Sequence, residues 1–515
     1  MTDLILHNAN ILHLNPDHRK NQLVAVQKGR ISAVTENERM HEFRDRDTKV
    51  IDCKGKTLLP GFIDAHCHLH AYAESLVTIS LAPQNNVRSI TDIQSIVRSQ
   101  SLRTRAGSWV RAKGYNEFYL KEKRHPNRID LDEASTVCPI KLTHRSGHAH
   151  MLNSLALKRV GITMETPEPP GGLIDRDLET GEPTGLLYEM GDFLSKRIPP
   201  LETVELERGI RLANEELLSL GITSIQDASS HNDLERWETI RSWQSRELFK
   251  PRISLMLGFN SFEGLKGKEL KMLKGEGRPR FIGVKIILDE TTGQLVPSQE
   301  ELNAMVMQVH LAGLQVAIHA IEESAVETAC NAIDYALQRQ PRADHRHRIE
   351  HCSVCRPSLA KRLSSLGIAV VTQPSFIHFN GDRYLETVPA EQLPYLYPIG
   401  TLVKSGVLVA GSSDSPIVPA NPLIGIGTAL SRRSIAGAYL NADERIPPSE
   451  ALRMYSENAA WVSFEEELKG SIMPGKLADL VLLDGDPTQV TAEEIKNLSV
   501  EMTILNGEVL WPKET

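Results

Sequence analysis

The chain has 515 residues, 41% of them hydrophobic and 24% charged, which suits one large core with a smaller domain and excludes extended disorder. Its formal net charge is −8, from 58 basic and 66 acidic residues; with no basic stripe to neutralise phosphates, nucleic acid is not an expected partner. No apolar run is long enough to cross a bilayer, Met1-Thr2-Asp3-Leu4-Ile5-Leu6 lacks the basic and apolar regions of a signal peptide, and six cysteines are too few for a disulfide scaffold, so a cytoplasmic protein without membrane contact is expected.

In chain order, the runs 23–26 and 31–34 flank the turn Lys28-Gly29-Arg30 and read as a hairpin. Next comes Leu59-Pro60-Gly61-Phe62-Ile63-Asp64-Ala65-His66-Cys67-His68, a strand-like run ending in two histidines. At positions i and i+2 of a strand they share a face and can grip one ion. The stretch 71–220 is too long for a plain loop. It holds Pro167-Glu168-Pro169-Pro170-Gly171-Gly172 and the turn Gly181-Glu182-Pro183, and is expected to fold as an inserted cap.

From Gly221 onward, β-branched runs recur at 221–227, 252–257, 282–288, 314–319, 347–351, 368–372 and 407–411. They are nearly continuous in apolar residues, as strands buried on both faces must be. Helical patterns lie between them; Val326, Ala329, Cys330, Ile333, Ala336 and Leu337 form one apolar stripe. With 62–66 the strands number eight, which predicts an α/β fold of the (β/α)8 TIM-barrel type, with its chemistry at the strands' C-terminal ends. An open doubly wound sheet would carry a glycine-rich phosphate loop after its first strand; this chain has none there. Further strand-like runs lie at 478–483 and 501–507. The expected domains are therefore a small β-sandwich from 1–58 and 466–515, and a barrel from 59–465 that carries the insertion.

Four later strand-like segments end in ligand-type residues: Lys285, His319, His351 and Asp414. A lone histidine at a strand end is more often a polar cap than a ligand. In register with His66 and His68, these residues predict a site for a divalent metal, with zinc favoured by the imidazoles and Asp414 as carboxylate. One or two ions would fit. A metal lowers the pKa of bound water toward about 7, and Asp414 would accept its proton and return it to a leaving group; His351 is grouped with Asp414 in the catalytic set. Lys285 sits in an apolar run where burial favours the neutral amine, which can take up carbon dioxide as a metal-bridging carbamate; the alternative is a buried pair with Asp227 or Asp289. His378, after the seventh strand, is expected to contact substrate or else to be a surface histidine. The single motif Cys352-x-x-Cys355 has no second pair and reads as ordinary buried cysteine.

Pro60-Gly61-Phe62-Ile63-Asp64-Ala65-His66-Cys67-His68, Gly147-His148-Ala149-His150-Met151-Leu152-Asn153-Ser154, His347-Arg348-Ile349-Glu350-His351, Gly411-Ser412-Ser413-Asp414 and Gly475-Lys476-Leu477-Ala478-Asp479-Leu480 together resemble the motifs of the amidohydrolase superfamily, in its YtcJ-like (amidohydrolase-3) branch. Gly185-Leu186-Leu187 after Gly181-Glu182-Pro183-Thr184 is similar to that branch's inserted hairpin. The resemblance implies a barrel with a β-sandwich and metal-dependent hydrolysis, usually of a C–N bond in an amide, cyclic amide or formamide. It also implies a small-molecule substrate, a carboxylated Lys285, a substrate contact at His148, and a homodimer. Ester hydrolysis or deamination by the same site, or a non-catalytic scaffold, are the alternatives. Asp289-Glu290-Thr291 stands where many relatives have Asp-Gly-Ser, and Glu322-Glu323-Ser324 where many have Gly-Asp-Arg. Both follow barrel strands in loops that shape a substrate pocket.

Overall fold

The computed structural model describes residues 2–14, 22–169, 171–265, 267–273, 279–290 and 293–513; Pro170 and Thr291, named above, lie outside the described residues. Contacts divide the chain into two units, 1–69 with 213–515, and 70–212.

In the first unit, eight strands form one sheet: β1 (Phe62–Cys67), β2 (Ile222–Asp227), β3 (Arg252–Gly258), β4 (Arg280–Ile287), β5 (Gln315–Ala320), β6 (Arg348–His351), β7 (Ala369–Thr372) and β8 (Val409–Gly411). Each pairs with the next in parallel, so spatial order follows chain order. Beyond β8 the chain returns to β1: Asp414 N–H donates to the His66 carbonyl at 2.8 Å, and His68 N–H to the Ser415 carbonyl at 2.9 Å. The sheet thereby curls into a (β/α)8 barrel, as the eight apolar runs predict. Strand residues are buried almost throughout, because helices cover the outside and side chains fill the inside. The helix Glu323–Arg339 presents Val326, Ala329, Cys330, Ile333 and Ala336 to the core, the stripe read from the sequence.

The terminal segments form two more sheets in this unit. One joins Leu4–His7, Leu23–Gln27, Arg30–Thr35 and Lys49–Asp52; the other joins Asn10–Ile11, Thr57–Pro60, Leu480–Leu483, Val500–Leu505 and Glu508–Trp511. Leu4, Leu6, Val24 and Ile31 of the first share a core with Leu58, Leu480 and Ile504 of the second. Each such side chain contributes about 1.5–3 kcal/mol by burial. The first hairpin turns at Lys28 and Gly29, both at positive φ (50° and 71°), the two-residue turn whose twist matches its strands. A Cβ on Gly29 would fall 2.4 Å from Asn506 Oδ1, so the turn also needs glycine for space.

The second unit has its own sheet, in the order Leu173–Arg176, Pro183–Tyr188, Ala149–Leu152, Ile140–His144, Val110–Tyr115 and Ile79–Ser80. Leu81, Ile93, Val97, Tyr115, Leu142 and Met151 pack together in its core. The hairpin expected around Gly181-Glu182 is the antiparallel pair Leu173–Arg176 and Pro183–Tyr188. Among the described residues no helix is long and apolar enough to cross a membrane.

Candidate metal centre

The predicted ligands sit at one end of the barrel. His66 lies on β1 and His68 just beyond it; Lys285 lies on β4, His319 on β5 and His351 at the end of β6, with Asp414 past β8. Four imidazoles run in series, with ring centroids 5.1 Å apart for His68 and His66, 5.0 Å for His66 and His351, and 4.5 Å for His351 and His319. Asp414 Oδ1 lies 2.9 Å from His68 Nε2 and 3.4 Å from His66 Nε2, and ligand atoms of these three residues lie within 4.8 Å of one another. His351 and Asp414 both have left-handed backbone, with φ of 72° and 59°. That conformation costs an L residue about 1–2 kcal/mol and is typical of sites where geometry outranks stability.

On three of these rings the other nitrogen is occupied. His66 Nδ1 bonds the Glu350 carboxylate, His68 Nδ1 meets Ser229 Oγ at 2.9 Å, and His351 Nδ1 donates to Gln373 Oε1 at 2.8 Å. Gln373 is itself held by donating to Ser412 Oγ at 3.0 Å. A histidine that donates through Nδ1 keeps its proton there and offers an Nε2 lone pair. His66 Nε2, Asp414 Oδ1 and Lys285 Nζ are all buried and have no hydrogen-bond partner among the described residues. Buried polar atoms left unpaired are costly, so converging lone pairs of imidazole and carboxylate fit a cation that would satisfy them. The residues present therefore suit a divalent metal.

The electrostatics agree with that donor set. Burial, reinforced by the charge of Lys285, holds His66 well below the ordinary imidazole value, and burial also lowers His351. Both rings are neutral and able to ligate. Burial opposes ionisation of Asp414, but the close His68 contact and the neighbouring imidazoles of His66 and His351 outweigh it and hold the carboxyl below its usual range. Burial brings Lys285 down to about 8, against the opposing pull of Glu350 and Asp414. Among the described residues Lys285 makes no hydrogen bond to Asp227 or Asp289, the two partners considered from sequence. Asp227 instead accepts from Leu69 N, Ser229 N and Asn232 Nδ2 at 2.9–3.0 Å. Asp64 braces the seam between β1 and β8, accepting from His66 N at 3.2 Å and Ser413 N at 3.0 Å; burial lifts its carboxyl to about 6 despite these bonds.

The amidohydrolase family profile matches residues 49–511. The chain belongs to the amidohydrolase family. This amidohydrolase is 28% identical to the YtcJ amidohydrolase of Bacillus subtilis, over 99% of each chain. It is 30% identical to an N-substituted formamide deformylase of Arthrobacter pascens, over 100% of its own length and 99% of that protein. A solved structure of an uncharacterized metal-dependent hydrolase from Pyrococcus furiosus covers 94% of this chain and is itself covered completely, with 26% identity and a TM-score of 0.73.

Of the two predicted substrate contacts, one belongs to each unit. His148 belongs to the second unit, exposed and paired with Glu189 Oε1 at 2.9 Å. His378 lies on the helix Ser375–Thr387; burial and the Lys496 charge lower it, with Glu493 and Asp382 also acting on it, and none of these belongs to the metal cluster. The two loops that depart from the relatives' pattern are tied together: Glu322 N donates to Glu290 Oε1 at 2.9 Å and Ser324 Oγ to Glu290 Oε2 at 3.3 Å. Cys352 and Cys355 are buried and free, as are the other four cysteines. The sequence reading missed Ser229, Glu350 and Gln373, which hold the rings. Only Glu350 left a visible signal, as a charged residue inside a short strand otherwise read as buried.

Proposed function

We propose that the protein is a metal-dependent hydrolase of C–N bonds in small amides, cyclic amides or formamides. The observation that carries this reading is the meeting of His66 Nε2, His68 Nε2 and Asp414 Oδ1 at one point, with buried atoms that no protein group satisfies. The likeness to an N-substituted formamide deformylase supports the choice of bond. His66, His68 and Asp414 would hold one divalent ion, zinc by donor type; His319, His351 and a carboxylated Lys285 would serve a second. When bound, such an ion polarises a carbonyl oxygen and lowers the pKa of water.

The chain's own groups supply the proton chemistry. Asp414, ionised and acceptor-only, takes a proton from the attacking water and delivers it to the departing nitrogen. Ser229 meets the ring of His68 at Nδ1, and Gln373 fixes the ring of His351. The test is metal analysis of the purified full chain, followed by turnover of N-substituted formamides, N-acyl compounds and cyclic amides. Metal uptake with turnover of at least one class is expected. A chain that neither retains nor binds zinc, manganese or cobalt, and turns over none of them, would overturn the reading.

A further inference from the structure

Beneath the candidate ligands, a line of buried polar side chains runs down the barrel interior. Arg348 and Glu350 stand two residues apart on β6 and share a face; neither is exposed to solvent. Arg348 Nε donates to Glu350 Oε1 at 2.6 Å, one terminal nitrogen donates to Gln226 Oε1 at 2.5 Å, and the other to the Ala65 carbonyl at 3.2 Å. Glu350 Oε2 takes the Nδ1 proton of His66. At the far end, Gln226 Nε2 donates to the Ala459 carbonyl at 2.6 Å, in the helix Glu457–Trp461. A buried ion pair in a barrel core is no better for stability than apolar side chains of the same size. Its presence calls for another reason.

We propose that Glu350, Arg348 and Gln226 form a positioning column that fixes the tautomer of His66, so that Nε2 faces the site as a bare lone pair. The column deepens the metal-centre reading and rests on it for its purpose. The logic is one of donors and acceptors. Arg348 can only donate, so it claims one carboxylate oxygen and leaves the other for His66. A glutamine at 350 has a single acceptor oxygen. Arg348 would claim that oxygen, turning the amide NH2 toward His66 Nδ1. The ring would then have to accept at Nδ1 and carry its proton on Nε2, the atom meant for metal. Removing Arg348 as well frees the glutamine oxygen to accept from His66 again.

The experiment compares wild type, Glu350→Gln and the pair Arg348→Met/Glu350→Gln, as full chains. Long-range 1H–15N spectra of histidine-labelled, metal-free protein read the tautomer, with the His66 signals assigned by their absence from His66→Gln. Zinc affinity is measured by chelator competition. Glu350→Gln is expected to move the His66 proton to Nε2 and to weaken zinc binding about 10–100-fold; the double variant restores the Nδ1–H form and affinity within a few-fold of wild type. An unchanged tautomer in folded Glu350→Gln, or a double variant protonated on Nε2, overturns the proposal. Should Glu350→Gln fail to fold, the double variant decides alone, since it buries no unpaired charge: Nδ1–H supports the column and Nε2–H ends it. A wild-type chain that shows the Nδ1–H form yet takes up no zinc, manganese or cobalt and turns over none of the amide classes would sink the hydrolase reading while leaving the column standing.

Discussion

The barrel holds two histidine clusters, one at each end of its strands, and they are opposites. At the C-terminal end, among the described residues, His66 Nε2 and Lys285 Nζ are buried without hydrogen-bond partners, and Asp414 Oδ1 has only imidazole nitrogens beside it. At the other end, His310 Nδ1 meets His347 Nε2 at 2.8 Å and His310 Nε2 the Gln340 carbonyl at 2.7 Å, while Val316 N donates to His347 Nδ1 at 3.0 Å. His345 completes the set, with Nε2 on the Leu366 carbonyl at 2.9 Å and Nδ1 accepting from His347 N at 2.8 Å. Every ring nitrogen there is satisfied by protein. His345 and His347 have the same one-residue spacing as His66 and His68. The spacing therefore does not make a ligand pair; leftover lone pairs do.

Substitutions can break that contrast. The largest effect is expected from Asp414→Asn, which keeps the fold and bound metal but lowers turnover about 10²–10⁴-fold for loss of the proton carrier; steady-state rates beside metal content check it, and undiminished turnover would remove Asp414 from the mechanism. Next is His347→Leu, which strands His310 Nδ1 and Val316 N and should cost about 3 kcal/mol in urea unfolding while leaving zinc stoichiometry intact. A variant that lost metal instead would mean the two ends are not separate in function. A smaller change is expected from Lys285→Ala: about one ion lost or bound ~10-fold more weakly, read by equilibrium dialysis, and a full complement of tightly held metal would deny Lys285 any bridging role.

Acid provides the mildest probe. Burial depresses His310, His345 and His347, with Arg342 adding to all three and Asp344 opposing it at His345. Unfolded histidines take protons near pH ~6.5 while these resist, so stability is present above that value and falls as pH drops below it. Melting curves of wild type and His347→Leu from pH 8 to 5 should converge toward the acid end. Parallel curves would show that the lower cluster does not titrate on unfolding.

Much of this was legible in the sequence, for physical reasons that also mark where legibility stopped. Eight two-face-buried strands must be apolar, so their positions show within a residue or two, and ligands at strand ends stand out against that background. Ring partners do not: Ser229 lies 161 residues from His68 and Glu350 284 residues from His66, and no local pattern encodes such meetings. In the insertion the sequence reading reached one hairpin, through the resemblance, and overlooked the rest of the sheet. Val110–Tyr115 places the part-buried Arg111 and Lys113 on either side of buried Ala112, an alternation that marks a strand only when one looks past its charges.

Ser413 N reaches Asp64 Oδ1 from 349 residues away in sequence, beside the very residues that would grip an ion. Closure of the cylinder and assembly of the site therefore depend on the same neighbouring contacts. Chain-closure entropy rises only slowly with length, so a join across 349 residues costs little more than a much shorter one. An ion gripped there would act as a rivet across the join, and stripping it should quicken amide exchange at His68 and Asp414 before any other strand loosens.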